Sequence, residues 1–150
     1  MRVVDFYASP RRERWLSKLR LCDWRAGAFL CELIDKDSFF ETLGPSSKLL
    51  LLADGDELVS FCTLAEKDEI RDTELTPWIG FVYTFPGYRG RRCFGILLRE
   101  AKRLAREAGF EKIYLSTDHT GLYEKYGFEY AGAAETIYGG MSRCYTAATD

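Results

Sequence analysis

Residues 78–108 read WIGFVYTFPGYRGRRCFGILLREAKRLAREA, and the rest of the chain can be placed around them. Residues 78–85 are apolar and aromatic without a charge, the composition of a strand buried on both faces rather than one alternating toward solvent. Pro86 and Gly87 stop it. From Phe94 the apolar residues return at Leu97, Leu98, Ala101, Leu104, Ala105 and Ala108, with Arg99, Glu100, Lys102, Arg103, Arg106 and Glu107 between them. That spacing predicts an amphipathic helix, and Gly109 stands where a C-terminal cap glycine belongs.

Residues 88–95, YRGRRCFG, join strand to helix. A helix start presents free backbone N–H groups, and Arg89, Arg91 and Arg92 add forked donors suited to phosphate. Gly90 and Gly95 let backbone approach a ligand closely. A phosphate-bearing ligand is the first expectation, and a merely solvated basic loop is the alternative.

The segment FVYTFPGYRGRRCFGILLREA resembles the acyl-CoA-binding motif of the GNAT superfamily of N-acyltransferases: a strand, Pro before an aromatic and Arg, then R-x-x-G-x-G/A opening a helix. The resemblance implies that the loop amides from Arg89 through Gly90, Arg91, Arg92, Cys93, Phe94 and Gly95 hold the pyrophosphate of coenzyme A. It implies also that backbone N–H groups of Val82, Tyr83 and Thr84 bind pantetheine and polarise the thioester carbonyl. Arg92 and Phe94 take places that are usually small in the family, and Gly95 comes one position late.

A second segment agrees. Residues 112–117, KIYLST, read as a short strand, and residues 122–128, LYEKYGF, resemble the family's next element, a short helix carrying Tyr and ended by Gly-Phe. By that resemblance Tyr123 lies near the coenzyme sulfur and protonates the departing thiolate, while Tyr126 packs. The implied function is an N-acetyltransferase moving an acetyl or other acyl group from acetyl-CoA to a primary amine in a direct ternary complex, with no metal. Two further readings stay open: a non-catalytic acyl-CoA-binding sensor on the same fold, and a phosphate-ligand or nucleic-acid binder outside the family.

Bulk properties frame these expectations. At 150 residues one domain spanning 1–150 is expected, large enough to bury about 68–70% of its unfolded surface. With 21 Lys plus Arg against 23 Asp plus Glu, the global charge gives no reason to expect nucleic acid or a membrane. Five cysteines, odd in number and without C-x-x-C spacing, argue against a disulfide framework or a zinc site. No apolar run reaches membrane-spanning length, and the charged N-terminus lacks a signal-peptide core. A cytoplasmic protein is expected, acting on a small-molecule or protein amine, with a homodimer left open.

Along the chain, residues 2–7 read as a strand, and Ser9-Pro10 as the N-cap and first position of a helix to about residue 21 with a basic face of Arg11, Arg12, Arg14, Lys18 and Arg20. A second helix is expected over 29–43. Two strands, 48–53 and 58–65, flank the turn at Asp54–Glu57, and two more follow Phe128, at 129–131 and 142–147. The family resemblance makes this an α/β (α+β) fold, a mixed central sheet of about seven strands flanked by about four helices. It places Trp24 and Phe29 on the acceptor wall, with Trp78 as a further aromatic candidate. No carboxylate lies within residues 79–82, where many family members carry one. His119, the single histidine, has the right unperturbed pKa for a general base and lies beside Asp118, a candidate acceptor ligand; a hydrogen-bonding role in a loop, or attack by a neutral amine through a water relay, is left open.

Overall fold

The computed structural model describes residues 1–150. Seven strands, β1 (Arg2–Asp5), β2 (Lys48–Asp54), β3 (Glu57–Ala65), β4 (Trp78–Thr84), β5 (Lys112–Thr117), β6 (Glu129–Glu135) and β7 (Met141–Ala148), form one mixed sheet in the order β1-β2-β3-β4-β5-β7-β6. Every neighbouring pair is antiparallel except β4 and β5. Four helices, α1 (Arg12–Leu19), α2 (Arg25–Asp35), α3 (Phe39–Leu43) and α4 (Phe94–Glu107), cover its faces.

The two faces explain the unbroken apolar run in β2. Leu50 and Leu52 point to the face covered by α4, where Phe94, Leu97, Leu98, Ala101 and Ala105 meet Cys62, Ile79, Ile113, Leu115 and Tyr145. Leu49 and Leu51 point to the other face, beneath Trp15, Leu19, Leu30, Leu33, Phe39 and Leu43 of the N-terminal helices. A strand sandwiched in this way has no solvated side to alternate toward. Asp54 pairs with Glu57 across a two-residue turn with Gly55 at φ 61°, which closes the β2–β3 hairpin.

Three expectations need correction. The helix expected over 29–43 is two helices: Asp37 turns left-handed at φ 55°, and the Ser38 N–H donates to the Leu33 carbonyl as α2 ends. Asp is among the residues that tolerate this conformation. Ser9 does not cap α1; its hydroxyl accepts from the Arg11 N–H and the helix opens at Arg12. The element at 122–128 is a single 3₁₀ turn, Tyr123–Tyr126, closed by Gly127 at φ 90°. The basic face of α1 faces acids from the β2–β3 turn: Arg11 and Arg14 reach Asp56 at 3.6 and 2.9 Å, and Lys18 reaches Glu57 at 4.0 Å. No helix is long and apolar enough to cross a membrane.

The connection between β3 and β4, residues 66–77, is fastened to the far hairpin. Ile70 bridges to Thr136, the Arg71 N–H donates to the Glu135 carbonyl and the Ile137 N–H to the Glu69 carbonyl, at 2.9 and 2.8 Å.

Candidate active site

The parallel ladder between β4 and β5 holds only Trp78–Tyr114 and Ile79–Leu115, then stops. The cause lies in β4. Against β3, Phe61 pairs with Tyr83 but Thr63 with Gly80, so β4 carries one extra residue opposite Cys62, and Phe81 takes φ 49°. A bulge of this kind bends its strand and re-aims backbone groups. Beyond Ile79, the edge of β4 that faces β5 therefore has no strand to pair with. Of the backbone expected to bind pantetheine, the Tyr83 carbonyl accepts from the Ser60 hydroxyl at 2.6 Å and the Thr84 carbonyl from Arg89 Nε at 2.8 Å.

The basic loop lies at the end of that edge. After Arg89, whose N–H bonds to the Pro86 carbonyl, none of the N–H groups of Gly90, Arg91, Arg92, Cys93 and Phe94 donates to a protein acceptor. Gly90 at φ 81° and Arg92 at φ 54° turn the backbone there. Five successive free donors at the start of a 14-residue helix make an anion cradle. The run ends at Phe94, because the Gly95 N–H already donates to the Arg92 carbonyl at 3.0 Å. Gly95 is thus not a free amide, and a Cβ there would meet only ordinary contact with Tyr126 at 3.5 Å. Phe94 and Cys93 turn their side chains into the core, 6% and 5% exposed, while those of Arg89, Arg91 and Arg92 stay at the surface. The Arg89 guanidinium lies over the Tyr83 ring, 5.4 Å from its centroid, and that of Arg91 over Tyr88 at 5.8 Å.

Tyr123 packs beside the start of α4. Phe94 and Phe128 hold its ring edge-on, with centroids 5.7 and 6.1 Å away and planes at 83° and 78°. Tyr126 packs on Phe94 in the same way at 5.2 Å. Burial, then the neighbouring Cys62 and Tyr126, pushes the Tyr123 phenol up to about 12. It is a fully protonated hydroxyl at neutral pH.

On the opposite face, Trp24 is half-buried and stacks on Tyr83 at 5.5 Å, and Phe29, 39% exposed, stacks on Phe81 at 6.3 Å. Trp78 does not line this surface. It is 1% exposed, its indole donates to the Leu75 carbonyl, and it packs with Ile70, Tyr114 and Cys144. Asp118 and His119 lie exposed in the loop after β5, where the His119 N–H donates to the Thr117 hydroxyl and its carbonyl accepts from Tyr145.

The sequence model of the Acetyltransferase (GNAT) family matches residues 8–128. The chain belongs to the GNAT acetyltransferase family. Solved GNAT structures agree in fold. The aminoglycoside 6'-N-acetyltransferase from Enterococcus faecium superposes with a TM-score of 0.70 at 18% identity, over 100% of this chain and 98% of that one. An aminoglycoside 6'-N-acetyltransferase complexed with coenzyme A gives 0.68 at 18% identity over 100% and 98%. A GNAT acetyltransferase from Elizabethkingia anophelis with acetyl-CoA bound gives 0.64 at 18% identity over 98% and 97%. No curated protein matches this sequence.

One feature of this GNAT chain escaped the sequence reading. Asp68, in the connection after β3, lays its carboxyl group over Gly80 of β4, beside the bulge. A Cβ built on Gly80 would overlap Asp68 Oδ1 and come within 3.0 Å of Thr63 Oγ1. Burial pushes the Asp68 carboxyl up to about 7; a hydrogen bond from the Glu69 N–H opposes this and the Glu69 charge adds to it. Glu69 in turn accepts the Ser116 hydroxyl of β5 at 2.7 Å. The signal that could have found the site is Gly80 itself, since a glycine inside an apolar strand marks close approach by another group.

A carboxyl group whose pKa is raised by folding contributes fully to stability below its unfolded value, near 3.8, and that contribution is lost as pH rises through about 7. Three pK units correspond to about 4 kcal/mol, discounted to about 2 because water reaches part of the residue. Asp68→Asn should therefore be about 2 kcal/mol more stable than wild type at pH 8.5 and nearly equal to it at pH 4. Urea denaturation at the two pH values checks this; parallel pH profiles would refute it.

Proposed function

We propose that this GNAT protein transfers an acetyl group from acetyl-CoA to the primary amine of a small molecule, in a ternary complex without a covalent acetyl-enzyme. The observation that carries the reading is the run of five free N–H groups at the start of α4, following the strand that loses its partner and tied to Tyr123 through the Phe94 ring. A pyrophosphate on those amides gains charge-assisted hydrogen bonds and the helix dipole together. Pantetheine then runs along the unpaired edge of β4 as an added strand, with N–H groups from Val82 to Thr84 as its donors. The same edge presents an N–H to the thioester oxygen, where negative charge grows as the amine attacks. Phe29 and Phe81 border the open face from which an acceptor would come, and the solved aminoglycoside acetyltransferases of the same fold favour a small amine over a protein.

Phosphate recognition gives the direct test. Acetyl-CoA should bind in calorimetry, and dephospho-coenzyme A or an acyl-pantetheine lacking the pyrophosphate should bind more weakly in step with the phosphates removed. Replacing Arg89 and Arg91 together by Ala should weaken acetyl-CoA about tenfold or more at low salt, and less at high salt. Equal affinity of the double variant and wild type would remove the arginines from the site. Absence of acetyl-CoA binding would remove the function.

A further inference from the structure

We infer that Asp68 and Thr63 together receive the amine to be acetylated: the Asp68 carboxylate accepts its proton, and the Thr63 hydroxyl holds its nitrogen in line. The inference rests on the acetyl-transfer reading. Two oxygens, one from β3 and one from the connection after it, converge on the bare backbone at Gly80. Thr63 is 0% exposed, and its hydroxyl is the buried side-chain polar atom left without a partner. A buried hydroxyl in that state is destabilising, and a bound donor at the same point removes the cost. A primary ammonium fits, because it has donors for both oxygens and a charge opposite to the carboxylate.

The position along the strand suits the chemistry. Gly80 precedes Val82 by two residues and Thr84 by four, so Asp68 sits about 7–13 Å along β4 from the donors assigned to pantetheine and the thioester. The carboxyl group titrates near neutrality, where a general base is most effective. A free ammonium near 10.4 is a much weaker acid; burial raises the carboxyl and lowers the ammonium, while the attraction between the two charges acts on both in the opposite sense, so the proton moves uphill to Asp68 and attack draws on the neutral amine formed there. Glu69 is the charge acting on Asp68; its own carboxylate is held by Ser116 of β5 and adds to the burial that raises the Cys144 thiol of β7, while β3 and β4 bring Thr63 and Gly80 to the group.

Asp68 takes one proton from the ammonium, and the nitrogen lone pair forms the C–N bond as the carbonyl π electrons move to oxygen. The tetrahedral adduct re-forms its carbonyl, the C–S bond breaks, and sulfur leaves with the electron pair. The nitrogen gives up its second proton to solvent, Tyr123 donates to sulfur and is reprotonated from solvent, and Asp68 releases its proton to solvent. Ammonium and acetyl-CoA become amide, free coenzyme A and one proton.

The test uses the whole chain with 2-phenylethylamine as probe, a primary amine whose ring matches the Phe29–Phe81 wall. With aspartate labelled at the carboxyl carbon, the Asp68 resonance should titrate near neutrality and move down by about one unit when the ammonium probe is added to the acetyl-CoA complex. Thr63→Val should weaken the probe about fivefold, or raise its KM about fivefold with kcat little changed. Asp68→Asn should lower turnover of the probe at least tenfold and erase the acidic limb of the pH profile, and Gly80→Ala, which displaces the carboxyl group, should do the same with Asp68 still present. An Asp68 resonance indifferent to the probe, or an acidic limb that disappears in His119→Ala and survives in Asp68→Asn, would overturn the inference while acetyl-CoA binding stood. Probe binding at Asp68 without acetyl-CoA binding would instead overturn the acetyl-transfer reading and leave the amine site.

Discussion

Tyr123→Phe is expected to lower turnover roughly 10²-fold and to leave acetyl-CoA affinity nearly unchanged. Phenylalanine keeps both edge-on contacts, with Phe94 and Phe128, and deletes only the hydroxyl, so the effect belongs to chemistry rather than to folding. Acidity decides whether the hydroxyl can act. A phenol at about 12 is a poor proton source for an ordinary thiolate near 8.5, a mismatch of about 5 kcal/mol. The surroundings act on sulfur as well, however. Cys62, the thiol beside Tyr123, is itself pushed by burial to about 12. A coenzyme thiolate shielded from water there would be made more basic in the same direction, which lessens the mismatch with Tyr123. Turnover and calorimetry on the same preparation check the expectation; a variant as fast as wild type would reduce Tyr123 to a packing residue, and one that no longer binds acetyl-CoA would make its role structural.

Phe94→Ala is the largest stability effect expected, about 3–4 kcal/mol. The ring is 6% exposed and makes edge-on contacts with both Tyr123 and Tyr126. Truncation leaves a cavity beneath the 3₁₀ turn and forfeits two aromatic pairs of about 1 kcal/mol each, part of that total. Because Phe94 also contributes a loop amide, the residue ties the anion cradle to the placement of Tyr123. Denaturant titration measures the loss. A cost below about 1 kcal/mol would mean that the loop and the turn are held from elsewhere.

Much of the fold was legible because it rests on periodicities. The charged and apolar positions of α4 repeat with the helix, the β2–β3 hairpin announces itself at Asp54–Glu57, and the strand at residues 78–85 lacks any solvated face. What escaped depended on single backbone angles or on contacts between distant segments. Asp37 at φ 55° breaks a stretch whose apolar spacing continues across it, and no local pattern marks that break. Trp78 looked like a pocket residue because aromatic character does not tell whether a ring meets solvent or Ile70, Tyr114 and Cys144. The carboxylate sought inside β4 was absent from residues 79–82. Asp68 approaches that strand from the preceding connection, and only the glycine left bare to receive it was visible in the sequence. The two unusual residues of the loop resolve simply: Phe94 is buried and Arg92 exposed, and the N–H groups of both are free of protein acceptors.

The order of strands across the sheet has a consequence for how the protein is made. β7 lies between β5 and β6, and the hairpin it forms with β6 anchors Glu69 and Arg71, on either side of Ile70 and next to Asp68. A nascent chain emerges from the ribosome in sequence order, so Asp68 is tied early on one side, through the Lys67 N–H to the Leu43 carbonyl, and gains its tethers at Glu69 and Arg71 only after residues 135–137 have been made and docked. Contacts of such sequence separation form late and slowly. The amine site is therefore the part of the molecule that ripens last, and a ribosome-bound chain stopped before Glu129 should carry a formed α4 and its loop while lacking the Glu69 and Arg71 tethers beside Asp68.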